Sequence, residues 1–222
     1  MSLAEAIIRV VTPHECLFCN SEGSLLCSDC WFRLGRQTKN QCYICRQTSS
    51  NCKTCKQCKK RSNINNVWIR SKYVFTPKNL VQALKYERKK EAYQIMAKAM
   101  LESIPKLNLK TVIVPVPTAT SRKRQRSYDQ AELLAKEIAR LLNLPYQKLL
   151  IRIGQTRQVG SKRSQRLKQL NGSYLVPRNI RGMHILMVDD VLTTGSTLES
   201  AAKALKASGA KKIKAVVFAR AL

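Results

Sequence analysis

Residues 185–197 read Ile-Leu-Met-Val-Asp-Asp-Val-Leu-Thr-Thr-Gly-Ser-Thr. The four apolar residues that open this stretch predict a strand that is buried on both faces. Two adjacent carboxylates, Asp189 and Asp190, follow where that strand is expected to end, and a hydroxyl-rich turn around Gly195 comes next. Apolar residues at helical spacing continue from there, and Gly209 is the expected C-cap. The stretch therefore predicts a strand, a tight loop and a helix N-terminus in direct succession.

This succession suits a sugar that carries a phosphate group. The free N–H groups and the dipole of a helix N-terminus bind phosphate. Ionised carboxylates only accept hydrogen bonds, so they suit ribose hydroxyls or a hydrated Mg2+. Asp189 and Asp190 are the only adjacent acids in the chain, and the alternative, a buried strand that ends in a capped turn, leaves them unexplained. The loop adds the hydroxyl groups of Thr193, Thr194, Ser196 and Thr197.

These residues resemble the phosphoribosyl-pyrophosphate (PRPP) signature of type I phosphoribosyltransferases. The apolar run, the two acids and the T-T-G-x-T loop are all present in the family's order. The resemblance implies that Asp189 and Asp190 are the catalytic carboxylates and hold the ribose hydroxyls. It further implies that residues 193–197 cradle the 5′-phosphate and that Mg2+ binds together with the pyrophosphate and the ribose.

The composition is that of a globular protein. The chain has 222 residues, of which 44% are apolar, and this length suggests one large domain with a smaller one. No apolar run reaches the length of a membrane span, and the first residues lack a secretory apolar region. We therefore expect a cytoplasmic protein without a transmembrane segment.

The net charge of +28 comes from 41 basic and 13 acidic residues. Such an excess repels itself in a compact fold, so a polyanionic partner is expected, and nucleic acid is the leading one. A proteome that is basic throughout, solubility through charge, and an anionic membrane surface are alternatives that the sequence does not separate.

All nine cysteines lie in residues 16–58, where they form repeated C-x2-C pairs. So many disulfides are not expected in a cytosolic chain, whereas each C-x2-C turn presents two thiolates to a tetrahedral Zn2+. A redox role needs one poised pair rather than four. The segment has few aliphatic residues, so zinc would take the place of a hydrophobic core. The candidate ligands are Cys16, Cys19, Cys27, Cys30, Cys42, Cys45, Cys52, Cys55 and Cys58.

The number of zinc ions and their ligands stay open at the level of sequence. The simplest pairing assigns the first four cysteines to one ion. It assigns Cys42 and Cys45, with two of Cys52, Cys55 and Cys58, to a second ion. Interleaved pairing and a single ion with spare thiols are the alternatives.

Basic residues interleave with the last cysteines. Cations beside exposed aromatic rings suit single-stranded DNA, because the cations follow the phosphates and the rings stack on the bases. The alternative is that the nearby rings of Trp31, Phe32 and Tyr43 form the small core of the finger. The basic residues concerned are Lys53, Lys56, Lys59, Lys60 and Arg61.

Beyond residues 62–66, which read as a polar linker, strand patterns alternate with helix patterns, and this alternation predicts a parallel sheet flanked by helices. We expect a zinc-finger domain over residues 1–62 and an α/β domain over residues 63–222. Ligands of such sheets bind beyond the carboxyl ends of the strands. A short strand over residues 111–114 would therefore share a rim with residues 189–197 if the two strands are neighbours.

From residue 16 to its C-terminus the chain resembles the ComF (ComFC) family of competence proteins. It has the family's cysteine-rich finger, the Leu84-Lys85-Tyr86 helix and the P-V-P motif at residues 115–117. The R-x-R-x-R-G-[FY]-[ND]-Q-A segment is matched at residues 122–131, except that Ser127 stands where the family usually has Gly. Gln169 stands where the family often has Asn. The later Q, R, G and [FY] positions are matched by Gln158, Arg166, Gly172 and Tyr174.

The ComF resemblance implies a type I phosphoribosyltransferase-like α/β fold with an N-terminal zinc finger and a role in natural competence. It implies PRPP and single-stranded DNA as ligands, and a helicase-like competence ATPase as a partner. It also implies that Val116, Pro117 and Thr118, backed by Arg122 and Arg124, face the pyrophosphate, since arginine pairs with phosphate in a bidentate manner. Nucleic-acid binding and a solvated loop are alternative roles for this basic run, which consists of Arg122, Lys123, Arg124 and Arg126.

The sequence does not indicate which molecule would accept the phosphoribosyl group in a transfer reaction. The resembling transferases of 6-oxopurines carry an acid where Thr193 stands, and a threonine cannot replace that general base at neutral pH. His184 is expected at the start of its strand, away from the rim that carries Asp189 and Asp190, so it is not expected to act as this base. Two functions therefore stay in view. One is a DNA-uptake factor whose pocket binds PRPP or a related ligand, and the other is an active phosphoribosyltransferase of nucleotide metabolism with zinc as a scaffold.

Overall fold

A computed structural model describes residues 15–35, 39–86, 91–118, 128–153 and 173–221. Its centre is a sheet of four parallel strands, in the order β1, β6, β5, β2, beside a separate antiparallel pair of β3 with β4. In chain order the strands are β1 (Asn66–Lys72), β2 (Thr111–Pro115), β3 (Ile151–Arg152), β4 (Tyr174–Leu175), β5 (His184–Leu192) and β6 (Lys212–Arg220).

Helices cover both faces of the parallel sheet, which is why the middle residues of its central strands β5 and β6 are apolar. Along β5, Leu186 and Val188 face the core under α3, α4 and α5, whereas Ile185 and Met187 face the core under α6. The predicted parallel α/β architecture with flanking helices is therefore confirmed. The helices are α1 (Ser28–Phe32), α2 (Lys56–Lys59), α3 (Phe75–Tyr86), α4 (Ala92–Leu101), α5 (Gln130–Leu142) and α6 (Ser196–Ala207).

Strand β5 is longer than the sequence predicts, because it continues through both aspartates to Leu192. Its neighbour β2 pairs with it only as far as Pro115, which lies opposite Val188. Proline has no N–H group to extend the ladder, and the last contact on this side runs from the Val116 N–H to the Val188 carbonyl at 3.0 Å. Beyond that point, among the described residues, β5 pairs with β6 alone, and no described strand pairs with the other edge of β5 beside Asp189.

The cysteine-rich segment packs on the edge strand β1 and is not separated from the sheet by a flexible linker. Asn51 binds this strand twice, since its carbonyl accepts from the Asn66 side chain at 2.8 Å and its side-chain oxygen accepts from the Trp68 indole at 3.0 Å. Ile64 is fully buried, and the Asn65 N–H donates to the Ile213 carbonyl at 2.7 Å. Residues 62–66 therefore form a packed joint, and the boundary proposed between residues 62 and 63 falls inside it.

Among the described helices, none combines the length with the apolar character that a membrane crossing needs.

The joint between finger and sheet yields a stability prediction. Ile64→Ala should lower the free energy of unfolding by about 2–5 kcal/mol, because it removes a fully buried side chain from a packed core. Chemical denaturation followed by circular dichroism measures this. Leu109→Ala is the matched control, since Leu109 is 81% exposed and should cost little. Equal costs for the two variants would show that the joint is not packed as described.

Candidate functional site

A cavity of about 310 Å³ opens at the carboxyl ends of β2 and β5. Its walls come from the end of β5 with the following loop, from the residues after β2, and from the end of α3. The structure thus places the two segments singled out from the sequence on one rim, because β2 and β5 are direct neighbours. The lining residues are Tyr73, Lys85, Val116, Pro117, Thr118, Gln130, Arg152, Asp189, Asp190, Val191, Thr193, Thr197 and Ala221.

Two carboxylates form the floor of the cavity. Asp190 is buried, and its carboxylate lies 2.6 Å from the ammonium group of Lys85. The Asp190 N–H donates to a carboxylate oxygen of Asp189 at 2.9 Å. Burial and the neighbouring Asp190 carboxylate raise the pKa of Asp189 well above its usual range. A divalent cation or hydroxyl donors at this point would relieve that repulsion.

The loop after β5 turns sharply into α6. Gly195 caps this helix in the left-handed region with φ of +85°, which a residue with a β-carbon rarely adopts. The Thr194 hydroxyl donates to the Ser196 hydroxyl at 3.0 Å and accepts the Ser196 N–H at 3.4 Å. Thr193 and Thr197 are exposed and line the cavity. The loop therefore presents hydroxyl groups and the first N–H groups of a twelve-residue helix, which is a favourable setting for phosphate.

The opposite wall is held by Asp129, the N-cap of α5. Its carboxylate accepts from the Thr118 N–H at 3.0 Å, from the Thr118 hydroxyl at 3.2 Å and from the Glu132 N–H at 3.3 Å. Tyr174 donates its hydroxyl to the Pro117 carbonyl at 3.3 Å, and Arg152 lies within 3.4 Å of both of these groups. Within the described residues, this wall is thus a turn held by hydrogen bonds, with the Arg152 guanidinium beside it.

Arg122, Lys123, Arg124 and Arg126 lie outside the described residues, so the cations assigned to the cavity are Lys85 and Arg152. Sequence reasoning did not assign either to the site. Lys85 comes from α3, more than a hundred residues before Asp190, and Arg152 lies in the separate short strand β3. No local pattern connects them to the loop, although the Leu84-Lys85-Tyr86 motif of the ComF resemblance was a signal for Lys85. His184, by contrast, is the first residue of β5, at the end of that strand away from the cavity.

Eight of the cysteines gather into two tetrads, in each of which the four sulfur atoms lie within 4.8 Å of one another. Both tetrads are built alike. The first pair lies in a turn that includes a left-handed residue, Asn20 or Arg46, and the second pair begins at the N-cap of a short helix, Cys27 or Cys55. The tetrads are Cys16, Cys19, Cys27 and Cys30, and Cys42, Cys45, Cys55 and Cys58.

Cys52 stays outside both tetrads. Its thiol is buried and donates to the Asn40 side-chain oxygen at 3.3 Å, and burial raises its pKa. Of the ligand sets that the sequence left open, the structure therefore brings together the one that joins Cys55 and Cys58 to Cys42 and Cys45.

Within each tetrad the pKa of one thiol is lowered and the pKa of another is raised. Burial opposes ionisation of Cys16 and Cys42, but hydrogen bonds from backbone N–H groups outweigh it and lower the pKa of each to about 6. Burial and the hydrogen bonds to the other cysteines raise the pKa of Cys30 and Cys58 to about 12. Four neighbouring thiols cannot all ionise unless a cation such as Zn2+ neutralises the resulting thiolates. Both tetrads therefore fit a structural zinc ion, as the sequence predicted for at least one.

Tyr43 joins the second tetrad to the cavity loop. It follows the ligand candidate Cys42, is 3% exposed, and packs with the core under α6. The sequence left open whether the aromatic rings of the finger are exposed or belong to a core. Tyr43 belongs to the core, whereas Phe32 is 86% exposed.

Comparison with known proteins agrees with this architecture. The family described as the phosphoribosyl transferase domain matches residues 129–222. The chain is 28% identical to the DNA utilization protein YhgH of Salmonella typhimurium, over 64% of this chain and 66% of that protein. It is 34% identical to Competence protein F of Haemophilus influenzae, over 52% of each chain. It is 36% identical to Competence protein ComFC of Bacillus subtilis, over 44% of this chain and 39% of that protein.

The matched segments thus span between 39% and 66% of the length of these relatives. The predicted phosphoribosyltransferase-like fold, the resemblance to the competence proteins and the cysteine-rich N-terminal finger are confirmed.

The tetrads predict a zinc content. The chain should bind two Zn2+ ions, because each tetrad offers four cysteine sulfur atoms within 4.8 Å of one another, the number of ligands that a structural zinc site takes. Cys55→Ser should reduce this to about one ion, whereas the matched variant Cys52→Ser should retain both. Elemental analysis by mass spectrometry on purified protein measures the ratio. Loss of an ion in Cys52→Ser would place that residue among the ligands and contradict the geometry.

Proposed function

We propose that this chain, which is similar to competence proteins and matches the phosphoribosyl transferase domain over residues 129–222, serves DNA uptake in natural transformation. It binds single-stranded DNA on a basic surface, and PRPP or a related phosphoribosyl ligand with Mg2+ in the cavity. The single observation that carries the ligand proposal is the meeting of two carboxylates, a hydroxyl-rich helix start and two cations around one cavity.

Each part of the ligand has a matching group in the cavity. The loop over residues 193–197 offers hydroxyl and N–H donors to the 5′-phosphate. Asp189 and Asp190 accept hydrogen bonds from the ribose hydroxyls, and their oxygens are the donors that Mg2+ prefers. Arg152 and the turn at Thr118 lie on the opposite wall, where the pyrophosphate would extend, and Arg122 and Arg124 follow that turn in the sequence.

Lys85 holds Asp190 through an ion pair. A ligand that brings Mg2+ to the carboxylates would free the Lys85 ammonium for the negative charge of the ligand. The binding of donor and metal would therefore exchange one set of charge contacts for another, without leaving a buried charge unpaired.

The second candidate function, an active phosphoribosyltransferase of nucleotide metabolism, is favoured by the family match over residues 129–222. Within the described residues that line the cavity, the carboxyl groups are those of Asp189 and Asp190, and both are assigned to ribose and metal. Neither carboxylate is then available to act as the general base that deprotonates an acceptor. Release of pyrophosphate from PRPP in the presence of a nucleobase would establish the enzyme, and no release with any base would favour the binding role.

The DNA proposal rests on two acid-free segments that the fold brings together. No Asp or Glu occurs between Cys30 and Tyr86, and none follows Glu199. The first segment contains the second tetrad and β1, the second contains most of α6 and β6, and β1 pairs with β6. Exposed lysines from both segments include Lys56, Lys59, Lys60, Lys203, Lys206, Lys211 and Lys212, a set that we call the basic face.

None of the lysines of the basic face forms an ion pair with an acid within the part of the chain that the structure describes. Burial and the charge of Lys206 lower the pKa of Lys59, which donates to the Ile64 carbonyl at 3.0 Å. Lys212 lies opposite His184, the first residue of β5. The basic face therefore lies at the amino edge of the sheet, and DNA bound there would leave the cavity at the carboxyl edge free.

The cavity yields a binding prediction. Isothermal titration calorimetry should show PRPP uptake that requires Mg2+, and Asp190→Asn should weaken it at least about ten-fold, because a hydrogen bond to a charged group contributes about 1.5–3 kcal/mol. Glu22→Gln is the matched control, since Glu22 is an exposed acid of the finger. PRPP uptake that is equal with and without Mg2+, or unchanged in Asp190→Asn, would contradict the assignment.

The basic face yields a salt prediction. The affinity for a single-stranded oligonucleotide, measured by fluorescence anisotropy, should fall steeply as salt rises, with a slope of about −0.7 per phosphate contact. Removing two charges in the variant Lys206→Gln with Lys212→Gln should weaken binding and reduce the size of that slope by about 1.4, which is about 0.7 for each lost contact. In the control Lys136→Gln the charge removed already pairs with Glu132 on α5, and DNA binding should not change. A salt-independent affinity would remove the DNA proposal.

A further inference from the structure

The fold fixes the cavity loop from behind through one residue of the finger. Tyr43 is buried between the second tetrad and the start of α6. A β-carbon placed on Gly195 would lie 3.5 Å from Cε2 and 3.8 Å from Cδ2 of the Tyr43 ring. The ring therefore packs directly behind the glycine that gives the loop its turn.

Polar contacts of Tyr43 reach three other parts of the chain. Its hydroxyl donates to the carboxylate of Glu199 in the first turn of α6, and it lies 2.8 Å from the Ser62 hydroxyl in the joint. Its carbonyl accepts from the Arg220 guanidinium at 2.8 Å, at the end of β6. Tyr43 thus connects the joint, the helix start and the last residue of the sheet.

The last strand carries this connection on to the cavity. The Ala221 N–H donates to the Leu192 carbonyl at 2.9 Å, and Ala221 itself lines the cavity. Leu192 is the last residue of β5 before the loop, and its side chain also packs beside Gly195. The loop residues that face the cavity, Thr193 and Thr197, are themselves exposed, so the support for their backbone comes from behind.

We infer that Tyr43 is a positioning residue for the cavity loop, and that the zinc finger thereby sets how well the loop binds a phosphate group. Tyr43 does not touch the cavity, and its effect passes through Gly195 and Glu199. For phosphoribosyl affinity the inference rests on the proposed function. For the order of the loop it rests on the packing alone.

Two readouts on the full-length, zinc-loaded chain test this inference. The first is amide hydrogen exchange over residues 193–198 without any ligand, and the second is the affinity for PRPP with Mg2+. Tyr43→Ala should speed the exchange of these amides and weaken PRPP binding about ten-fold or more, since a small displacement of a binding group is costly. Tyr43→Phe keeps the ring and should have a smaller effect in the same direction.

Phe32→Ala is the matched control, because Phe32 is an aromatic residue of the other half of the finger and is 86% exposed. It should change neither readout. Zinc content is measured in every variant, and the expected result is two ions in Tyr43→Ala with a more rapidly exchanging loop. Unchanged exchange in Tyr43→Ala would overturn the inference.

If Tyr43→Ala loses zinc, the inference is tested with Tyr43→Phe instead. Amide exchange over residues 193–198 of Tyr43→Phe that equals the exchange of the unmodified chain would then overturn the inference. If the unmodified chain takes up no PRPP, the proposed ligand is wrong, and the exchange data still decide the role of Tyr43.

Discussion

The site depends on the unequal lengths of two neighbouring strands. Strand β2 stops at Pro115, whereas β5 runs on through Asp189 and Asp190 to Leu192. Because β6 holds the extended part of β5 from one side only, the two carboxylates stand at an open sheet edge and yet belong to regular backbone. A binding group on a strand is held more rigidly than one on a loop. The cavity walls, the Lys85 ion pair and the hydroxyl loop are all arranged around this overhang.

The cysteine tetrads give this arrangement a second source of rigidity. A segment with few aliphatic residues has little hydrophobic core of its own, and metal ligation can replace that core. Here the finger also covers the edge strand β1 through Asn51, and it supplies Tyr43 to the core behind the cavity loop. The finger is therefore part of the support of the cavity, and a function for zinc does not require that zinc take part in any chemistry.

Charge is divided between the two edges of the sheet. The adjacent aspartates lie at the carboxyl edge, and the lysines of the basic face lie at the amino edge. The division supports a small anionic ligand with a metal ion at one edge and a polyanion at the other.

The sequence by itself determined the local chemistry. The run over residues 185–197 specified strand, acids, turn and helix because neighbours in the chain decide backbone conformation and phosphate-binding donors. The repeated C-x2-C pairs specified metal ligands for the same reason. Only the tertiary structure decided that Lys85 pairs with Asp190, that Cys52 is excluded from the tetrads, and that Tyr43 supports Gly195. These contacts join residues far apart in the chain, and their partners are chosen by how the sheet, the helices and the finger pack, which no local pattern encodes.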